Sequence, residues 1–174
     1  FIGVLNSRLE RNGYGIHYYK SGDKYFGYFE ADKPNKNGIY IWNPIYKGRN
    51  IQTELYYGLW KNNKKDKSGI YIWMNEPLNN KVFDDANFDT YIGIFKEDKF
   101  VRGTYLCKNV DDYFLYHGDF DSDGKKTDDN AYFYSSKFDR VLHGKIQKDN
   151  FGSAYVALFE SDSGEIKNLV HCDF

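Results

Sequence analysis

The sequence predicts an all-β protein, built as an extended single-layer antiparallel sheet of stacked β-hairpin repeats. Three observations predict this fold. Aromatic residues make up 20% of the 174 residues, a short aromatic–glycine block recurs along the chain, and a second aromatic block follows each copy. Aromatic side chains pack well on a pleated surface. So high an aromatic content excludes a disordered chain, despite a mean hydropathy of −0.74.

The first block has the form aromatic-x-Gly-x-aromatic, and it is weakened in its last copy. The copies read FIGVL, YFGYF, YYGLW, YIGIF, YHGDF and LHGKI, at Phe1–Leu5, Tyr25–Phe29, Tyr56–Trp60, Tyr91–Phe95, Tyr116–Phe120 and Leu142–Ile146. Side chains in a strand alternate between its two faces, so Tyr25, Gly27 and Phe29 share one face. The glycine leaves a slot on that face, which we expect an aromatic ring of the neighbouring strand to fill.

The second block follows each first block after a short polar segment, so each pair of blocks predicts a hairpin. It reads YGIHYY, NGIYIW, SGIYIW, RGTYLC, NAYFYS and FGSAYV, and the five residues GIYIW are identical at Gly38–Trp42 and Gly69–Trp73. We expect the close packing of these strands to require a set of structural glycines. They are Gly3, Gly15, Gly27, Gly38, Gly58, Gly69, Gly93, Gly103, Gly118 and Gly144.

The repeats predict one domain over residues 1–174. The predicted hairpins lie at about 1–20, 24–42, 55–73, 90–107, 115–135 and 141–157, with a capping segment at 158–174. Within that segment, Ile166–Val170 is predicted to be a strand. The extra residues at Asn43–Thr53 and Asn75–Thr90 are expected to form side loops at one edge of the array.

This pattern resembles the MORN repeat family, whose unit is roughly YxGxWxxGxxxGxGxxY. The resemblance covers nearly the whole chain in about six copies. Of the family's later GxG pair, the first glycine remains only as Gly13, whereas Lys36 and Lys67 replace it in the two closest copies. The family's middle glycine is replaced mainly by Asp and Asn, which tolerate a left-handed turn conformation well. The replacing residues are Asp32, Asn63, Asp98, Asp123 and Asp149, with Arg8 in the first copy.

The resemblance implies a function in recognition. MORN-type arrays act as scaffolds and assembly modules at cytoskeletal or membrane-associated structures, which implies a non-catalytic, protein-binding module in the cytoplasm. Two alternatives are also implied. One is an accessory domain of a larger enzyme, such as a SET-type lysine methyltransferase or a phosphoinositide kinase. The other is a module that binds anionic lipid.

The aromatic stripe is the candidate site for a protein partner. Most of its rings are expected to form a core between repeats, but a single-layer sheet cannot cover both faces, and exposed aromatic side chains suit a partner's groove. The candidate residues for binding or packing are Tyr25, Phe29, Tyr40, Trp42, Tyr56, Trp60, Tyr71, Trp73, Tyr91 and Phe95.

Charge is unevenly distributed. Residues 1–75 carry 12 Lys and Arg against 6 Asp and Glu, and residues 76–174 carry 12 against 19, so their formal charges are +6 and −7. The net charge of −1 gives no electrostatic case for nucleic acid, while the split favours self-association, with a homodimer as the simplest closed form. The candidate contacts with an anionic membrane lie at one basic hairpin tip, for which a solvated loop is the plainer interpretation. They are Lys61, Lys64, Lys65 and Lys67.

No part of the sequence predicts catalysis, a cofactor or a metal site. Asp119–Gly124 matches the start of an EF-hand loop, but Asn130 stands where the loop needs Glu, so we expect calcium affinity no tighter than millimolar. The four histidines suggest no catalytic pairing, because adjacent residues in a strand point to opposite faces. Cys107 and Cys172 lack the spacing of metal ligands.

Overall fold

A computed structural model describes residues 1–47, 50–74, 88–108, 113–137, 140–159 and 166–173. These residues form one open antiparallel sheet, which confirms the predicted fold class. The described part of the chain contains no helix long and apolar enough to cross a membrane. The strands are β1 (Ile2–Leu5), β2 (Arg11–Tyr18), β3 (Lys24–Glu30), β4 (Lys33–Ile41), β5 (Ile45–Lys47), β6 (Asn50–Lys61), β7 (Lys64–Met74), β8 (Phe88–Lys96), β9 (Lys99–Lys108), β10 (Tyr113–Asp119), β11 (Asp128–Ser135), β12 (Arg140–Gln147), β13 (Asn150–Phe159) and β14 (Ile166–Asp173).

Nearly every strand pairs with the next one along the chain, so the sheet is a series of hairpins. The exception is β5, which pairs only with the start of β6 (Ile45 opposite Gln52), while β4 pairs with the remainder of β6. The segment predicted as a side loop at Asn43–Thr53 is therefore an additional hairpin that lengthens β6, so that prediction was wrong. Of the second predicted side loop, residues 75–87 lie outside the described residues. The predicted closing strand is present as β14, paired with β13.

The repeat glycines lie in a single row across the sheet, each opposite the next, which we call the glycine row. In order they are Gly3, Gly15, Gly27, Gly38, Gly58, Gly69, Gly93, Gly103 and Gly118. Farther along the sheet the row consists of Ala131, Gly144, Ala154 and Cys172. The irregular spacing of the repeats in sequence thus disappears in the pairing of the strands.

A parallel row of tyrosines runs beside the glycines, and we call it the tyrosine row. Its members are Tyr25, Tyr40, Tyr56, Tyr71, Tyr91, Tyr105 and Tyr116. The ring over each glycine comes from its own strand or its hairpin partner: a Cβ added to Gly38 would lie 2.2 Å from the Tyr25 Oη, and one added to Gly27 would lie 2.5 Å from it. We expected a ring from a neighbouring strand in each slot. Instead, one ring covers both glycines of its hairpin: Phe1 in the first hairpin and a tyrosine in the next three.

Four hairpins close through two-residue turns in which both central residues have positive φ, the type I′ geometry that matches the twist of paired strands. The pairs are Ala31 and Asp32, Asn62 and Asn63, Glu97 and Asp98, and Lys148 and Asp149. The expectation that Asp and Asn replace glycine in left-handed turns is confirmed at these four positions. It was wrong for Asp123, because Gly124 takes the positive φ in that turn.

Lys36 and Lys67 also adopt left-handed conformations, with φ of 54° and 58°, as does Gly13 at the corresponding place. In the two lysine cases the strand pairing shifts register beside this residue. The shift explains the sequence spacing, since in the hairpins with a left-handed lysine the second row glycine follows the first by 11 positions.

Candidate functional site

The sheet has two unlike faces. The aromatic face carries the tyrosine row, and nine of the aromatic side chains on it pack edge to face in one continuous chain. Neighbouring ring centroids in this chain are 4.9–5.6 Å apart and the planes cross at 80–90°, an arrangement that aromatic pairs prefer. In order the rings are Phe1, Phe29, Tyr25, Trp60, Tyr56, Phe95, Tyr91, Phe120 and Tyr116.

The sequence-predicted aromatic residues all lie on this face, where most are inaccessible. Of the ten, seven are buried: Tyr25, Phe29, Tyr56, Trp60, Tyr71, Tyr91 and Phe95. The other three, Tyr40, Trp42 and Trp73, are partly buried and pack against that core. The structure therefore places these residues in the packing role and leaves little of them for a partner.

Each hydroxyl of the tyrosine row has a protein partner. In the first strand of a hairpin it donates to a main-chain oxygen three residues later, as from Tyr56 Oη to the Leu59 oxygen at 2.9 Å. In the second strand it donates to a carboxylate, as from Tyr105 Oη to Asp89 Oδ2 at 2.7 Å. The carboxylate pairs are Tyr40 with Asp23, Tyr71 with Glu54, and Tyr105 with Asp89.

Burial, together with the neighbouring carboxylate, raises the pKa of Tyr105 well above its usual value. These tyrosines are thus protonated donors that stabilise the fold. Sequence reasoning missed the carboxylates, although their position provides a signal: each lies two residues before the first tyrosine of a repeat.

Near the start of certain strands, a cationic side chain lies over rings of the aromatic face. Lys65 Nζ is 5.0 Å from the centroid of the Tyr71 ring and 5.2 Å from that of Trp42. The Lys65 N–H donates to Asp98 Oδ1 at 2.8 Å, and its ammonium lies 3.5 Å from the same oxygen. Burial lowers the pKa of Lys65, and the Asp98 carboxylate opposes that change. We call this arrangement a latch, since the carboxylate belongs to the turn of the next hairpin.

The latch occurs twice more. Arg11 lies over Phe29 and donates its N–H and guanidinium to Asp32, and these bonds lower the pKa of Asp32. Lys126 pairs in the same way with Asp149. Where Pro34 occupies the strand position there is no N–H to donate, and the turn residue is Asn63. The turn residue is thus Asp where the residue beside it in the preceding hairpin can donate a main-chain N–H, and Asn where that residue is proline.

The predicted lipid-contacting lysines do not act as one group. Lys65 is directed into its latch, whereas Lys61, Lys64 and Lys67 are exposed. Lys64 Nζ lies 3.6 Å from a carboxylate oxygen of Glu97 in the adjacent hairpin tip. The basic tip predicted from the sequence is therefore smaller than expected by one lysine.

The second face, which we call the open face, carries the exposed apolar side chains. Along its central row every described strand from β1 to β8 on the main path places an apolar residue opposite the next. This row is Ile2, Ile16, Phe26, Ile39, Tyr57, Ile70 and Ile92. Tyr57 and Ile92 are 52% and 53% exposed, although both lie in the middle of the sheet.

A shallow depression of about 450 Å³ lies on the open face. Its floor is the backbone of Gly58, Gly69 and Gly93, whose Cβ positions are directed towards Tyr56 and Tyr91 on the aromatic face. One wall includes Tyr57 and Ile92. The other wall includes Leu59, Ser68 and Ile94. The sequence analysis did not predict this surface. It considered the glycine and tyrosine positions, whereas this surface is formed by the residues that alternate with them and point to the opposite face.

Four other side chains considered in the sequence analysis have partners within the fold. Asp119 pairs with Arg102 at 2.7 Å, and Asp121 accepts two main-chain N–H groups of its own turn. His117 Nδ1 lies 2.9 Å from the Thr104 hydroxyl, and the His143 ring stacks on Tyr132. Among the described residues no three His, Cys, Asp or Glu side chains form a group suited to a metal ion.

These features define a class of protein: an open antiparallel sheet of hairpin repeats with one buried aromatic face and one exposed apolar face. No family model matches the chain, and comparison with curated proteins likewise finds no match.

Proposed function

We propose that this chain is a non-catalytic module for protein binding and assembly, built from MORN-like repeats. The observation that supports the proposal is the open face, on which Tyr57, Ile92 and Ile94 are 52%, 53% and 43% exposed in the middle of a sheet. Contiguous apolar surface on a soluble domain is typical of interaction sites. The resemblance to MORN arrays supports a place inside the cell, at cytoskeletal or membrane-associated structures.

Affinity capture with matched variants tests this proposal. The double variant Ile92→Lys and Ile94→Lys places two charges on the open face, and Leu9→Lys makes the same kind of change at an exposed apolar residue in the turn between β1 and β2, outside the sheet. We expect the wild type and Leu9→Lys to retain the same bound proteins and the double variant to lose them. Recovery of the same proteins by all three would contradict the proposal.

Self-association remains a prediction from the charge split. Light scattering at low and high salt measures it, because screening weakens attraction between exposed charges. A mass that falls to that of the monomer as salt rises is expected. A monomer under every condition would leave binding to a different protein as the function.

A further inference from the structure

Two adjacent hairpins each place two lysines directly opposite one another beside the open face. Lys61 pairs with Lys64 at the end of β6–β7, and Lys96 pairs with Lys99 at the end of β8–β9. Like charges directly opposite in a sheet are destabilising. We call these four lysines the lysine rim.

The carboxylates near the rim only partly balance it. Lys61, Lys64 and Lys96 line a second depression, of about 270 Å³, together with Asp66 and Glu97. Only Lys64 of the rim lies within 4.0 Å of a described carboxylate, that of Glu97. The rim therefore has four ammonium groups against two carboxylates, and an anionic group would be attracted to it.

The rim continues directly from the wall of the apolar depression. Lys61 follows Leu59 by two residues in β6, and Lys96 follows Ile94 by two residues in β8, so each lysine shares a face with the apolar residue. Residues two apart in a strand are separated by about 6.8 Å. One ligand segment can therefore contact the apolar walls and the ammonium groups at once.

The combination of an apolar depression with a lysine rim favours one of three possible occupants of the open face. A second copy packed on the open face about an axis parallel to the strands would bring two lysine rims together, which their charge disfavours. A flat membrane would contact only the side chains that form the walls of the depression, and the glycine backbone at its floor would remain uncovered. We infer that the depression and the lysine rim together bind a segment of a partner protein in which apolar side chains are flanked on one side by Asp and Glu. This inference depends on the proposed binding function and specifies the partner's chemistry.

Selection of peptides from a random library tests the inference directly on the chain. The probe is a library of random linear peptides displayed on phage, selected on the immobilised wild-type chain. The enriched peptides are expected to combine aliphatic or aromatic residues with several Asp or Glu. Their affinity is expected to fall at least about tenfold, equivalent to 1.4 kcal/mol, for Lys61→Glu with Lys96→Glu and for Ile92→Lys with Ile94→Lys.

Controls separate charge at this site from charge in general. Lys20→Glu with Lys24→Glu makes the same charge change at exposed lysines elsewhere, and should leave affinity within about twofold of the wild type, since exposed charges at a distance are screened. Thermal melts of each variant should show a folded chain at the temperature of the assay. A variant that is unfolded there is replaced by the corresponding single substitution.

Each outcome is decisive. Enriched peptides that lack acidic residues, or that bind the Lys61→Glu and Lys96→Glu variant as well as the wild type, overturn the acidic-partner inference while the open face remains a binding surface. Failure to enrich any peptide overturns it as well. Phosphatidylcholine vesicles with and without phosphatidylserine form the last arm: rim-dependent binding to the anionic vesicles, without acidic peptides, would assign the rim to lipid.

Discussion

The strands β3–β9 and the strands β11–β13 show how the same repeat is built in two ways. In β3–β9 the glycine row is covered by tyrosine rings, and the paired backbones lie so close that a Cβ on Gly58 would be 2.6 Å from the Gly69 Cα. In β11 and β12 the tyrosine row continues as Phe133 and Leu142, and the glycine row includes Ala131. Glycine is therefore required where a tyrosine ring lies on the strand. The hairpin itself still forms where this pair of glycine and tyrosine is absent.

The latches and turns are common to both regions. Asp98 closes a turn in the first region and Asp149 closes one in the second, with nearly the same φ of 73° and 69°. Each accepts the N–H of a lysine in the preceding hairpin. The comparison thus separates the turns, which are constant, from the ring packing, which changes.

The largest expected effect is alkaline unfolding that begins in β3–β9. Burial raises the pKa of every member of the tyrosine row, that of Tyr91 to about 12. An unfolded tyrosine loses its proton near pH 10, whereas the folded one keeps it, so the free energy of unfolding falls as the pH rises above 10.

Hydrogen exchange and absorbance of tyrosinate, followed across this pH range, measure the effect. Protection should be lost first in β3–β9, and the row tyrosines should ionise together with unfolding. Loss of protection first in β11–β12, where Phe133 and Leu142 replace the tyrosines, would contradict the comparison.

Gly58→Val should lower the free energy of unfolding by about 3 kcal/mol, because the new side chain overlaps backbone that cannot move independently. Ser68→Val, at an exposed position in the paired strand, is the control and should change it by less than about 0.5 kcal/mol. Thermal melts compare the two. Equal stability of Gly58→Val and the wild type would refute the close packing of the glycine row.

Tyr56→Phe and Tyr57→Phe distinguish the two faces at adjacent positions. The Tyr56 hydroxyl donates to the Leu59 oxygen at 2.9 Å, so its removal leaves a main-chain acceptor without its partner and should cost about 1–2 kcal/mol. Tyr57 is exposed, and its variant should lie within about 0.5 kcal/mol of the wild type. Denaturant unfolding measures both, and equal losses would argue against the buried hydrogen bond.

Asp149→Ala tests whether the latch acts outside the tyrosine-covered region, with an expected loss of about 1 kcal/mol at neutral pH. Burial alone would raise the pKa of Asp149, but the Lys126 N–H and the neighbouring ammonium groups lower it below 3.8. A lowered folded pKa gives stability that is present above pH 3.8 and lost as the pH falls.

The difference between Asp149→Ala and the wild type should therefore shrink at acid pH in urea melts. Asp129→Ala, which removes a more exposed ion pair with Lys145, is the matched control and should have little effect. A pH-independent difference would mean that the ionised carboxylate contributes nothing to the latch.

The smallest expected effect is a gain. Lys67 has a φ of 58°, a conformation that glycine adopts without strain, so Lys67→Gly should raise the free energy of unfolding by about 0.5–1 kcal/mol. Lys64 has no such conformation, and Lys64→Gly should lower stability instead. Thermal melts that show the same sign for both variants would contradict the turn assignment.

Much of this arrangement was predictable from local pattern. The alternation of aromatic and glycine residues predicted strands, and the polar segments between blocks predicted hairpins. The Asp and Asn residues predicted left-handed turns, correctly for Asp32, Asn63, Asp98 and Asp149. The prediction was wrong for the segment around Ile45, because a short apolar run after Pro44 gave no sign of an added hairpin. It was also wrong for the turn at Asp123, because the adjacent Gly124 adopts the positive φ.

The sequence by itself determined the all-β fold, the repeat and the glycines, because strand periodicity and turn chemistry act over a few residues. Only the tertiary structure decided which face a partner could reach. Whether a ring is buried depends on the rings of strands distant in sequence, so Trp60 is covered by Tyr25 and Tyr56, while Tyr57, one residue from Tyr56, is exposed. Likewise Lys65 and Lys61 read alike in the sequence, and only the turn carboxylate of the next hairpin draws Lys65 into a latch.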